Sequence, residues 1–131
     1  EESIPWRILG FRWADETLAR MLNLLRLAKQ LRASKPDVLL PYTWLPNVSC
    51  GLIWRLTGAR VCIWNQRDEG EGLTRSLWNR LAVGLSPFFI SNSSHAQRFL
   101  LLRYRLDPSR SRVVRNGIEL PDPKKKPPPG K

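Results

Sequence analysis

Four short apolar runs punctuate the chain, and each breaks off abruptly into polar or aromatic residues. Val38 to Tyr42 runs into Thr43-Trp44, and Arg60 to Trp64 or Asn65 runs into Gln66-Arg67-Asp68-Glu69. Phe88 to Ser91 gives way to Asn92-Ser93-Ser94, and Arg112 to Arg115 to Asn116-Gly117. Short apolar runs such as Val38 to Tyr42 are what a parallel sheet buries on both faces. The stretches between them read as helices. Glu16 to Ser34 places Leu18, Met21, Leu22, Leu25, Ala28 and Leu31 at helical spacing, with Asp15 as N-cap and Pro36 as the stop. A second helix starts at Pro46 or Asn47 and ends at Thr57, where Gly58 supplies the usual C-terminal exit. A third spans Leu73 to Leu85, with Thr74 or Gly72 near its start, and Pro87 breaks it. A fourth is capped by Ser93 or Ser94 and runs to about Tyr104. Helices between strands imply right-handed crossovers, hence an α/β fold: an open parallel sheet with flanking helices. Ile4 to Phe11 is expected to add one more strand at the front.

The 131 residues, 42% of them hydrophobic, hold one domain at most. The formal charge of +11 favours anionic contacts: phosphorylated ligands, anionic lipid or nucleic acid. Lys124, Lys125, Lys126 and Lys131 lie in the tail, and most other cations are arginines, which suit phosphate and carboxylate. Cys50 and Cys62 have no metal-binding spacing and read as small buried thiols of a reducing compartment. His95 is the single histidine, so a histidine-rich metal site is excluded. No apolar run approaches the length of a membrane span, and the start is no signal peptide. The chain begins Glu-Glu-Ser and ends KKKPPPGK, which reads as a piece of something longer: a domain over 1–121, then a Pro/Lys-rich linker or disordered tail over 122–131.

In an open parallel sheet, ligands bind beyond the carboxyl ends of the strands, where helix N-termini also point. The polar switch at each strand end is therefore read as the place where the strand leaves the core. Asn65, Gln66, Arg67, Asp68 and Glu69 combine amides, a guanidinium and carboxylates able to hydrogen-bond a hydroxyl-rich substrate. A solvated loop in which Arg67 pairs with Asp68 or Glu69 accounts for the same residues. Gly70 and Gly72 bracket that loop and give it freedom to move. Ser93 and Ser94 open a helix and offer an anion site, although simple N-capping also suits them. Asn116-Gly117 is first of all a turn. His95 beside Ser93 and Ser94 suggests a Ser–His nucleophilic pair on paper, but no nucleophile elbow supports a hydrolase. Dinucleotide, P-loop, zinc and Asp-x-Asp patterns are all missing.

The ordered set KPDVLLPYTWLP, GARVCIWNQRDEG, FFISNSSHAQRFL and SRVVRNGIELP resembles the N-terminal, acceptor-side domain of retaining family-4 glycosyltransferases of the GT-B fold. The resemblance covers roughly Lys35 to Pro121. It implies a Rossmann-like half of an enzyme that moves a sugar from a nucleotide-sugar donor to an acceptor hydroxyl, with no metal and no further cofactor. Asn65 then stands where many members have an active-site His, and an amide can orient a sugar but cannot titrate. Gln66 to Glu69 would face the cleft, Ser93 would head a helix looking toward it, and Asn116-Gly117-Ile118-Glu119 would lead into the hinge. The glycine-rich first turn is absent, so the sheet lacks its first strand or strands. The donor-binding C-terminal domain is absent too, so the isolated chain is expected to be inactive. No residue is assigned a catalytic role.

The resemblance implies three partners: the missing donor-binding domain, a sugar or lipid-linked acceptor, and an anionic membrane surface met from the cytoplasm. The alternative is a non-enzymatic basic module that binds nucleic acid or anionic lipid. Against nucleic acid, the cations are scattered, and the tryptophans sit beside apolar stretches instead of forming an exposed stacking row. A structural remnant with no activity is the third reading.

Overall fold

A computed structural model describes residues 6, 8–68, 70 and 72–117. Helix α1 (Thr17–Ala33) leads to β1 (Val38–Leu39), α2 (Trp44–Thr57), β2 (Val61–Gln66) and α3 (Leu77–Leu85). Then come β3 (Phe88–Ser91), α4 (Ser94–Tyr104), a 3-10 turn at Pro108–Arg110 and β4 (Ser111–Val113). The strands form one sheet in the order β1-β2-β3-β4, and every pairing is parallel. The expected α/β architecture is therefore present, and the fold is Rossmann-like. Val38 pairs with Val61 and Leu39 with Cys62, and the same offset returns at Tyr42 opposite Asn65. Between these contacts lies Pro41, which has no N–H to give to a ladder, so β1 stays at two residues.

Each crossover steps to the next strand in the same direction. Right-handed connections then put α2, α3 and α4 on one side of the sheet. Burial agrees: Leu39, Cys62, Trp64, Gln66, Phe89 and Ser91 point into the protein, while Val38, Val61, Ile63, Phe88 and Ile90 are partly or half exposed. Trp64 and Phe89 meet at 5.8 Å between ring centroids, under Val48 of α2, Ala82 and Val83 of α3 and Leu100 of α4. Helix α1 extends the helical layer beside α2 through Leu24, Leu27 and Ala28 against Ile53. No described helix covers the other face, so burial on both faces is not realised: Val38 remains 51% and Phe88 53% exposed.

Three further expectations change. Helix α1 buries Leu24, Leu27 and Ala28, whereas Leu18, Met21, Leu22 and Leu25 are exposed. Of the expected set, Ala28 and Leu31 do lie on the core side with Leu24 and Leu27, and the other four form a second, exposed apolar stripe. The third helix starts at Leu77, with Ser76 accepting from the Asn79 amide as its cap. Leu73 does not open it; instead, as the side chain of a turn closed by Leu73 N–H to Gly70 O, it plugs the core. At the front, the described residues between 6 and 11 form no strand, and 1–5 and 7 lie outside the description, as do 118–131 with the expected hinge and tail.

The α2–α3 contact is close. A Cβ on Gly51 would stand 2.7 Å from Ser86 Oγ and 3.0 Å from the Ala82 carbonyl, whereas one on Gly84 would meet nothing within 4 Å. Trp54 Nε1 of α2 also donates to Leu85 O at 3.0 Å. Gly84→Ala is therefore expected to stabilise by up to ~1 kcal/mol through helix propensity alone. Gly51→Ala is expected to lose ~1–2 kcal/mol, because overpacking outweighs that gain. Urea unfolding of the two variants checks the contrast.

The two cysteines are free; Cys62 is buried in β2 and Cys50 half-buried in α2. Burial pushes the Cys50 thiol up to about 11, and burial with the neighbouring Cys50 pushes Cys62 up to about 12, from 9.0. An acid held protonated by the fold favours folding fully below its unfolded pKa, and that contribution fades as pH rises past it. The urea midpoint should therefore fall from pH 9 toward pH 11, and fall less steeply in Cys50→Ala/Cys62→Ala. Native thiols should react slowly with a disulfide reagent at pH 8.

Candidate functional site

All four strands run the same way, so their carboxyl ends share one edge with the N-termini of α2 and α4. That edge carries Tyr42, Asn65, Ser93 and, three residues past β4, Asn116. The segments expected to form one rim are brought to one side of the sheet.

The end of β2 is its centre, with Trp64, Asn65 and Gln66 all buried. Buried polar groups need partners, and the Asn65 backbone and the Trp64 and Gln66 side chains find them locally. Asn47, in the first turn of α2 and itself buried, holds the Asn65 backbone from both sides. Its Nδ2 donates to Asn65 O at 2.8 Å, and its Oδ1 accepts from Asn65 N at 3.0 Å. Gln66 shares the strand face of Trp64, so its side chain turns under the helices and not toward the cleft. It accepts from Trp64 Nε1 at 2.9 Å and donates to Asp68 Oδ1 at 2.7 Å. Asp68 Oδ1 also accepts from Gly70 N at 2.8 Å, which folds the loop back on the strand. Gln66 and Asp68 thus shape the rim from below.

Arg67 is exposed, with its guanidinium 5.4 Å from the centre of the Tyr42 ring. Its carbonyl accepts from Asn92 Nδ2 at 3.0 Å, and Asn92 N donates to Gln66 O at 3.2 Å, so one residue ties the loops after β2 and β3 together. Ser93 Oγ accepts from Ala96 N at 3.1 Å as the N-cap of α4, which leaves the exposed Ser94 beside it. Asn116 and Gly117 are exposed, and Glu69 lies outside the described residues. Among the described residues no three of His, Cys, Asp and Glu come together as metal ligands.

Gly70 and Gly72 both have positive φ, at 95° and 72°. A Cβ on either would overlap the ring of Phe99 or Trp44. They allow close packing of the loop on α4 and α2.

Sequence reasoning assigned no role to three groups here. Thr43, the exposed residue before α2, has φ 66° and ψ 175°, a conformation that a β-branched side chain strongly disfavours. Trp44 Nε1 and Ser91 Oγ, one at the start of α2 and one at the end of β3, are buried without a hydrogen-bond partner. The only signal for Thr43 and Trp44 was their place between a strand and a helix.

A parallel α/β unit whose polar groups collect at the carboxyl edge of the sheet, beside two helix N-termini, is a Rossmann-like domain. The family model described as Glycosyltransferase Family 4 matches residues 3–121, and the chain belongs to that family as an N-terminal, family-4-like glycosyltransferase domain. No curated protein and no solved structure matches the chain.

Asn47→Ala removes both side-chain hydrogen bonds to the buried Asn65 backbone and is expected to cost ~2–4 kcal/mol. The loss should appear as a lower urea midpoint. Arg67→Ala, at the exposed rim, should leave that midpoint within ~0.5 kcal/mol.

Proposed function

We propose that this chain is the acceptor-side part of a retaining glycosyltransferase that moves a sugar from a nucleotide-sugar donor to an acceptor hydroxyl. Membership of the family supports glycosyl transfer, and one structural observation supports the acceptor role. The carboxyl edge presents exposed Tyr42, Thr43, Arg67 and Ser94. Such a rim can hydrogen-bond a polyhydroxylated acceptor. The donor is held by a second α/β domain of the GT-B pair. On transfer, the acceptor oxygen bonds to the anomeric carbon as the bond from that carbon to the diphosphate breaks. The leaving diphosphate takes the proton on the same face, so Asn65 has no need to titrate. Arg67 is the rim cation that orients acceptor hydroxyls.

The test is to follow amide resonances of the chain while adding a panel of oligosaccharides, with free nucleoside diphosphates as the comparison. Saccharides should perturb Thr43, Arg67 and Ser94, and Arg67→Ala should weaken binding about tenfold, the value of one charge-assisted hydrogen bond. Nucleotides perturbing that edge while saccharides leave it unmoved would reverse the assignment.

A second reading concerns where the domain works. Leu18, Met21, Leu22 and Leu25 form an exposed apolar stripe on α1, with the exposed Arg26, Lys29 and Arg32 on the same helix. No described helix is long and apolar enough to cross a membrane, but this pattern suits a helix lying on an anionic bilayer surface. Sedimentation with phosphatidylcholine vesicles containing phosphatidylglycerol should carry the chain down, and Leu22→Glu/Leu25→Glu should release it. Equal sedimentation of both proteins would dismiss α1 as the contact.

A further inference from the structure

Away from the rim, the surface between α3 and α4 is hollowed into a cavity of about 570 Å³. Arg75, Arg80, Arg103, Arg105 and Arg110 line it, with the Tyr104 ring among them. Its apolar side is formed by Val83 and Leu106, and no acidic residue is among the described residues that line it. None of the strand-end residues of the acceptor rim contributes.

The five guanidinium groups are unequal. Arg110 is held in place: its Nε donates to Pro87 O at 3.1 Å, another of its nitrogens donates to Ser86 O, and its guanidinium lies 5.5 Å from the Phe89 ring centre. Arg75, Arg80, Arg103 and Arg105 are exposed, and no described carboxylate pairs with them; the ion pair found among the described residues is Arg60 with Asp37, elsewhere. The frame that presents them is fixed. Tyr104 Oη donates to Thr74 O at 2.9 Å, and Asn79 Nδ2 donates to the same carbonyl at 3.0 Å. Arg75 follows Thr74, Arg80 follows Asn79, and Arg103 and Arg105 flank Tyr104. One carbonyl therefore anchors the backbone beside four of the five cations. Like charges gathered around a cavity repel one another, and an anion inside it removes that cost.

We infer that this cavity is an anion site for a phosphorylated ligand, with the guanidinium groups on the phosphate and the apolar side against the ligand's organic part. Guanidinium matches phosphate oxygens in pairs, which ammonium cannot do. The volume falls in the range of small-molecule sites, about 300–1,000 Å³, and so leaves room beyond a single phosphate. The phosphate can come from a soluble metabolite or from a lipid headgroup at the membrane surface. The site is independent of glycosyl transfer and of the acceptor edge.

The experiment uses the whole 131-residue chain with two probes. Inorganic pyrophosphate is titrated by calorimetry, and phosphatidylcholine vesicles with and without phosphatidic acid are tested by sedimentation. Arg80→Ala/Arg103→Ala is compared with Arg55→Ala/Arg60→Ala, which removes the same charge elsewhere; both leave α1 unchanged. The cavity variant should bind pyrophosphate at least tenfold more weakly than the native chain, while the control stays close to native. Its urea midpoint without ligand should equal or exceed the native value, because two repelling charges are gone. If these arginines prove necessary for folding, Arg75→Ala/Arg105→Ala gives the same comparison from positions outside helices. Loss of pyrophosphate binding identifies a soluble phosphate ligand; loss confined to phosphatidic acid vesicles identifies a lipid. Equal weakening in the cavity and control variants, or no binding of either probe, overturns the proposal.

Discussion

The last three residues of β2 are Trp64, Asn65 and Gln66, all sealed from solvent. Polar groups at the end of a central strand are costly to bury if they lack partners. Asn47 holds the Asn65 backbone N–H and carbonyl, and Asp68 accepts from the Gln66 side chain as the following loop turns back beneath the rim. The remaining geometry of the edge follows. The grip sets where α2 begins, that start carries Thr43 into its rare conformation, and the folded loop brings Arg67 over Tyr42. Polar residues at a strand end here form the internal scaffold of the edge as well as its outward surface.

The second organising fact is the lopsidedness of the sheet. Successive crossovers in one direction gather α2, α3 and α4 on a single face, and α1 widens the same layer. The hydrophobic energy is concentrated there, around Trp64 and Phe89. The opposite face holds Val38, Ile63, Phe88 and Ile90 with no described helix above them. The same economy shows where α2 meets α3, because Gly51 lets the two backbones approach and Ser86 fills the space.

Much of this was legible in the sequence, for identifiable reasons. The strands at Val61–Gln66 and Phe88–Ser91 and the cap at Ser93 follow from local signals: β-branched and aromatic runs, and a hydroxyl before a helix. The parallel arrangement followed from helices lying between strands. What escaped depends on tertiary partners. Spacing alone cannot say which of two apolar stripes on α1 meets α2. Leu73 fits a helical period equally well as a first turn or as a plug, and glycines at Gly70 and Gly72 read as freedom until aromatic rings occupy their missing Cβ positions. At the site, the inward turn of Gln66 was implicit in its parity with Trp64. Asn47 gave no such sign, since its role exists only when a strand passes beside it.

Because each strand lies next to its predecessor in the chain, the architecture grows by accretion. Every pairing closes a span of one helix, so no strand waits for a distant stretch before it can dock. Parallel pairings are slow to close, and these keep the span, and so the closure entropy, as small as a crossover helix allows. A nascent chain emerging from the ribosome can therefore pair β1 with β2 before the residues of β4 have emerged.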